Sequence, residues 1–281
     1  MDPVDQHVHS HHSFDCQTEP ADNIRQAIAA GLSGISFTEH FDTHPEEWPT
    51  CRYDDCAYSA TITDLRRRFA DTLFIGQGIE VCYQPERMDF ILDFLEQHDF
   101  DVVLLSVHWA GDKAFHRRHH WTELTVRQVS RLYFQTVLEA TRLARDLHRR
   151  NGKRVFDILG HLDLIKRYTH RFRETEDVIN GQEELIDQIL TTCLEADLIP
   201  EINTSTLRTG LSESMPGPMV VRRYAELGGR AVSLGSDAHS AADVGADFDC
   251  LCAHLPDLGI HSLACFEQRR LRLLPLGAAP R

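Results

Sequence analysis

Short, nearly unbroken apolar runs alternate along this chain with longer stretches in which apolar residues recur every three or four positions. The short runs predict strands at 4–9, 34–38, 73–80, 101–107, 155–160, 199–203 and 231–235. The longer stretches predict helices at 22–30, 59–70, 86–97, 126–150, 182–196 and 218–227. Asp22 and Asp177 stand where a cap or first-turn acid favours a helix start, and Gly31 and Gly228 where a left-handed residue stops one. Seven strands alternating with helices over about 240 residues predict parallel βα units closing into a barrel. No Pro/Gly/Ser-rich linker divides them, so residues 1–270 read as one domain and 271–281 as a loose tail. The stretches 41–58 and 108–125 are longer than usual βα loops, and loops of that length are often functional.

Composition narrows the class. At 281 residues, 42% apolar and 26% charged, the chain has the profile of an ordinary globular protein with a sizeable core. No apolar run is long enough to span a membrane and no basic-then-apolar leader opens the chain, so the expected compartment is the cytoplasm. The net charge of -14 argues against nucleic acid as a partner, because phosphate backbones are held by excess Lys and Arg. Oligomeric state is not legible. The eight cysteines form no C-x-x-C pair and read as free, mostly buried thiols. Histidine is the outlier, with 17 copies.

Those histidines are not scattered. Active sites of βα barrels are built at the C-terminal ends of the strands. There the chain reads H-V-H (His7, His9) with Asp15 beyond, T-E-H-F-D (His40), G-I-E (Glu80), S-V-H-W (His108), G-H-L-D (His161), E-I-N-T-S (Asn203, Ser205) and G-S-D-A-H (Asp237, His239). His7 and His9 are two residues apart, so an extended strand aims both rings to one face. One histidine at a strand end signifies little, but nearly every strand ending in His, Asp or Glu predicts a metal centre. Imidazole and carboxylate without thiolate suit zinc, manganese or iron.

The same segments resemble the polymerase-and-histidinol-phosphatase (PHP) family, in order from Asp5 to about Phe248. G-H-L-D-L-I-K-R-Y and E-I-N-T-S-x-L-R are most similar to its stand-alone L-histidinol-phosphate phosphatases. The resemblance implies a distorted (βα)7 TIM-like barrel with three divalent ions at the C-terminal strand ends. By motif, His7, His9, Glu80 and Asp237 would hold the first ion; Glu80 would bridge to a second held by His108 and His161; Asp15, His40 and His239 would hold the third. Three such ions, offset by three carboxylates and a bridging hydroxide, leave about two positive charges, which matches a phosphate monoester dianion.

The implied reaction is hydrolysis of a small phosphate monoester, L-histidinol phosphate first, by in-line attack of a metal-bridging hydroxide. Asp237, Glu80 and His239 stand as candidate catalytic residues, with Asp237 or a metal-bound water as proton source for the leaving oxygen. Arg208, then Arg167, with Lys166, are candidate phosphate cations; Asn203 and Ser205 would orient phosphate or water. Glu39 and Asp42 flank His40, where they would either fix its tautomer or cap a helix or loop, while His116, His119 and His120 read as surface residues. Rival readings are a phosphoesterase for nucleotides or other small esters, an amidohydrolase, and a non-catalytic metal-binding module.

Overall fold

The computed structural model describes residues 2–51, 53–174 and 176–276. Seven parallel strands run in sequence order around the molecule: β1 (Val4–Val8), β2 (Gly34–Phe41), β3 (Phe74–Cys82), β4 (Val102–Ser106), then β7 (Ile158–Leu159), β8 (Ile199–Asn203) and β9 (Ala231–Gly235). Between β4 and β7 lies a two-residue hairpin, β5 (Trp109–Ala110) and β6 (Lys113–Ala114). Helices α1 (Pro20–Ala29), α2 (Asp55–Arg68), α3 (Met88–Gln97), α4 (Val126–Asn151), α5 (Ile165–Arg171), α6 (Glu183–Glu195), α7 (Pro218–Glu226) and α8 (Phe248–His254) connect them.

Alternation along the strands separates two apolar layers. Ile35, Phe37, Ile75, Ile79, Val103, Leu105, Ile202, Val232 and Leu234 join the large core shared with the helices. Val102, Leu104, Ile158 and Phe266 form a separate small cluster. Helices follow local rules: α4 starts with a capping box between Thr125 and Gln128 and stops at Gly152, whose φ is 65°. Asp177 caps no helix; its Oδ1 accepts from Ile179 N, and α6 begins six residues later at Glu183.

The barrel is distorted at its seam. β1 meets the chain after β9 through a single bridge, Val8 with Ala238, where His9 N donates to Ala238 O (3.0 Å) and Asp237 N to His7 O (2.8 Å). Deeper down, the Gln6 side chain takes the place of a backbone ladder. Its Nε2 donates to Ser233 Oγ (2.6 Å) and Ala264 O (2.7 Å), and its Oε1 accepts from Phe266 N (2.7 Å).

Three expectations need correction. β7 is two residues long rather than six, because the Asp157 carboxylate accepts from Val103 N (2.9 Å) where a strand carbonyl would stand. The short α5 carries no side-chain cap that would announce it. The expected loose tail is ordered through Pro275: β10 (Ser262–Glu267) pairs parallel with β9, and β11 (Arg270–Pro275) pairs antiparallel with β10. Its turn is made by Gln268 and Arg269, both at positive φ, with none of the Asn-Gly chemistry that marks such hairpins. Asp101 holds it instead, accepting from Gln268 N (Oδ1, 2.9 Å) and Arg269 N (main-chain O, 2.9 Å). Residues 277–281 of that tail lie outside the described residues.

Candidate metal centre

The C-terminal ends of the strands converge on Glu80. Its Oε1 lies 2.9 Å from His161 Nε2, 3.5 Å from His108 Nε2 and 3.5 Å from His7 Nε2; its Oε2 lies 2.8 Å from His40 Nδ1 and 3.6 Å from His9 Nε2. Asp237 Oδ1 completes the group at 3.6 Å from His9 Nε2 and 3.9 Å from His7 Nε2. Asp15 Oδ2 reaches His239 Nε2 at 3.2 Å and His40 Nε2 at 3.5 Å. All nine residues expected to bind metal therefore meet in one place, with Asp15 and His239 nearest solvent. Burial would raise the Glu80 carboxyl, but the surrounding His7, His40 and His108 hold it well below the usual carboxylate range. His9, buried and beside His40 and His239, is pushed down to about 3.

Tautomers reveal what this arrangement lacks. His7 Nδ1 lies 2.7 Å from Glu201 Oε1, an acceptor, so its proton sits there and Nε2 presents a lone pair. Ser13 Oγ donates to Glu39 Oε2 (2.5 Å), so it can only accept from His9 Nδ1 (3.0 Å), and His9 Nε2 is also bare. These two lone pairs face each other at 3.1 Å, with the carboxylates of Glu80 and Asp237 beside them. Glu80 Oε2 and His40 Nδ1, though 2.8 Å apart, make no hydrogen bond in this geometry. With both rings neutral, as metal ligands are, such a set is repulsive. Against the effect of burial, Glu201 and Glu80 draw a proton onto His7 when no ion is present. Shared cations answer the same negative charge, so these residues fit divalent ions. Among the described residues, the ligand atoms of His9–His40–His239, of His7–Glu80–His161, of His7–His9–Asp237 and of His40–Asp42–His108 lie within 4.8 Å of one another in each group.

Several supporting residues were not singled out in the sequence. Glu201, buried in β8, orients His7 and accepts from His161 N (2.6 Å). Its signal was available: Glu201 and Asn203 alternate onto one face of a strand whose other residues are apolar. Gly235 makes room for it, since a Cβ there would collide with the Glu201 carboxylate and stand 2.6 Å from His7 Cβ. Asp237 sits at φ 53°, an uncommon conformation for a residue with a side chain, and it aims its carboxylate inward. Replacing Glu201 by Gln should lower metal affinity by about 10- to 100-fold, because the amide no longer holds the His7 tautomer as firmly; competition against a chelating dye measures it.

The flanking acids also differ from expectation. Asp42 bonds mainly to His108 (Oδ1 to Nδ1, 3.3 Å) rather than His40 (Oδ2 to Nδ1, 3.6 Å). Glu39 does not touch the His40 ring; it accepts from Ser10 N, Ser10 Oγ and Ser13 Oγ, on the side of β2 that supports His9.

A cavity of about 880 Å³ opens over the cluster. Arg167 lines it, with Nη1 2.6 Å from Asp237 Oδ2 and 3.3 Å from Ser205 Oγ. Arg208 does not line it. Its guanidinium is used elsewhere, on Ser236 O (2.6 Å), Thr204 Oγ1 (3.3 Å) and Asp243 Oδ1 (3.3 Å), where it ties the β8 and β9 loops together. Lys166 points away as well, into Asp163 Oδ2 (2.9 Å), Glu213 Oε1 (3.0 Å) and Ser214 O. Of the three expected phosphate cations, Arg167 is the one that lines the cavity. Asn203 and Ser205 act one step back: Asn203 Oδ1 accepts from Ser205 Oγ (2.6 Å), its Nδ2 donates to Glu201 (3.3 Å), and Ser205 Oγ receives Arg167. Burial would raise the Asp237 carboxyl, but Arg167 beside it, with His9, His7 and His239, holds it well below the usual carboxylate range. His116, expected at the surface, lines the cavity beside Glu47, as do Arg171 and Arg173.

A seven-stranded parallel barrel with a histidine–carboxylate cluster at the C-terminal strand ends defines a metal-dependent hydrolase class. The chain belongs to the PHP domain family, whose profile matches residues 5–205. It is 28% identical over 273 residues to the "Probable histidinol-phosphatase" of Deinococcus radiodurans, covering 95% of this chain and 98% of that one. It is 26% identical over 279 residues to the histidinol-phosphatase of Lactococcus lactis, covering 96% and 97%. Its structure resembles that of histidinol phosphate phosphatase from Lactococcus lactis, crystallised with zinc, L-histidinol and phosphate, with a TM-score of 0.83 and 25% identity over 96% of this chain and 99% of that one.

Proposed function

We propose that this protein is a metal-dependent phosphomonoester hydrolase that converts L-histidinol phosphate to L-histidinol and phosphate, a step in histidine biosynthesis. The observation that carries the reading is the pair of bare imidazole nitrogens facing Glu80 and Asp237 under a cavity edged by arginines. The relatives' activity and near-complete mutual coverage support the substrate. His7, His9, Glu80 and Asp237 are assigned to one ion, Glu80, His108 and His161 to a second, and Asp15, His40 and His239 to a third; Asp42 supports His108. Zinc, manganese and iron suit these donors, and zinc accompanies the Lactococcus protein. Such ions polarise phosphate oxygens and lower the pKa of water at neutral pH.

The chain's own residues do the rest. Arg167 offers a planar fork to a phosphate oxygen from a position already fixed by Ser205 and Asp237. Glu201, Ser13 and Asp42 hold the imidazole tautomers so that bare nitrogens face the ions. We read the molecule as one barrel domain working in the cytoplasm; its eight cysteines are all free thiols, and no helix among the described residues is long and apolar enough to cross a membrane.

The test is kcat/KM for phosphate release by metal-replete protein from L-histidinol phosphate, a nucleoside monophosphate and p-nitrophenyl phosphate. A lead of at least about a hundredfold for L-histidinol phosphate supports the assignment. Equal rates on all three would leave a generic phosphoesterase and remove the biosynthetic role.

A further inference from the structure

The cavity wall beyond the metal centre is mostly basic or neutral, with one exception. Among the described residues that line it, Asp15, Glu80 and Asp237 belong to the cluster, and Asp42 has both oxygens on His108 and His40. The carboxylate that remains is Glu47, carried on the long loop after β2.

Glu47 is held firmly. Its Oε2 accepts from Trp109 Nε1 at 2.7 Å, and Trp109 is itself fully buried and stacked on His44, with ring centroids 3.5 Å apart. Its Oε1 faces His116 Nε2 at 3.3 Å. Arg117 stands 3.8 Å from Oε1, but pairs chiefly with Glu46 at 2.5 Å. A buried carboxylate fixed by neutral donors and turned to a cavity is a preorganised cation site. The metals and Arg167 account for the phosphate end of a substrate; nothing in that machinery needs Glu47.

We propose that Glu47 binds the substrate's ammonium group and so sets the preference for amino-alcohol phosphates over other phosphate esters. This rests on the function proposed above. In L-histidinol phosphate the ammonium is on the carbon next to the one bearing the ester oxygen, so its receptor must lie close to the metal centre. Glu47 meets that condition: it lines the same cavity as Glu80 and His108, and its partner Trp109 directly follows His108 in the chain. An ester without the amine leaves the cavity side of that carboxylate without a cation and is bound less well for that reason.

The experiment compares L-histidinol phosphate with its des-amino analogue, 3-(imidazol-4-yl)propyl phosphate, and with p-nitrophenyl phosphate, on the metal-loaded protein and on Glu47→Gln and Glu47→Asp. The decisive quantity is the ratio of kcat/KM for the amine to that for the des-amino ester. It should be about 30 or more in the unaltered protein, fall at least tenfold in Glu47→Gln, and take an intermediate value in Glu47→Asp, which keeps the charge but withdraws it. The Kd of L-histidinol measured by calorimetry should rise in the same order. An unaltered ratio in both variants overturns the assignment of Glu47, whatever the variants do to absolute rates. Should the unaltered protein fail to prefer L-histidinol phosphate over p-nitrophenyl phosphate, the proposed function falls, and this inference with it.

Discussion

Glu80→Gln should lower kcat/KM for phosphate release by at least about a thousandfold and strip metal from the protein. Both Glu80 oxygens are committed, one toward His7, His108 and His161, the other toward His9 and His40. An amide keeps the shape but removes the negative charge shared by those five rings, and its NH2 group turns a donor toward bare nitrogens. The ion assigned to His108 and His161 would then have neutral imidazoles alone, and the one assigned to His7 and His9 would keep only Asp237 as a charged partner. Elemental analysis after gel filtration should find at least one fewer ion per chain than in the unaltered protein. Full metal content together with full turnover would mean that Glu80 is a buried structural acid and that the ions sit elsewhere.

Arg167→Ala should cost about a hundred- to a thousandfold in kcat/KM with metal content unchanged. Its guanidinium lies between the cluster and the cavity, whereas the Arg208 guanidinium and the Lys166 ammonium are spent on loop carbonyls and acids. Arg167→Lys should recover little, since a point charge cannot span a phosphate oxygen and Asp237 together. Phosphate inhibition constants provide an independent check and should weaken in parallel. If Arg167→Ala retained its inhibition by phosphate, another cavity cation such as Arg171 or Arg173 would be the receptor.

The contrast among these cations marks the limit of what the sequence makes legible. Strand ends were readable because parallel strands are buried on both faces, so a polar residue at their C-terminal ends announces itself against an apolar run. That is why nine histidines and acids, far apart in the chain, could be placed in one cluster. Which loop cation turns inward is a different matter. Arg208 is captured by Ser236 O and Asp243, partners on another loop, and no local pattern encodes that capture. Glu201 was hidden in plain view inside E-I-N-T-S, because a carboxylate beneath a ligand reads like any other strand acid until its histidine is seen above it. The β10–β11 hairpin escaped for a third reason: its turn conformation is enforced by Asp101 from outside rather than by its own Gln268 and Arg269.

Support beneath the ligands explains why the centre can be both dense and ordered. Glu39 collects Ser10 and Ser13, and Ser13 in turn holds His9 and the backbone of His40. Glu201 joins β1, β7 and β8 through His7, the backbone of His161 and Asn203. These hydrogen bonds orient the imidazoles independently of the ions, which lowers the cost of ordering them on binding.

Turnover must require the bound ions. Protein stripped with a strong chelator and dialysed should release no phosphate from L-histidinol phosphate above background, and titration with zinc or manganese should restore turnover in step with ions retained, levelling near three per chain. Undiminished turnover by metal-free protein, or return of activity with no ion retained, would contradict it.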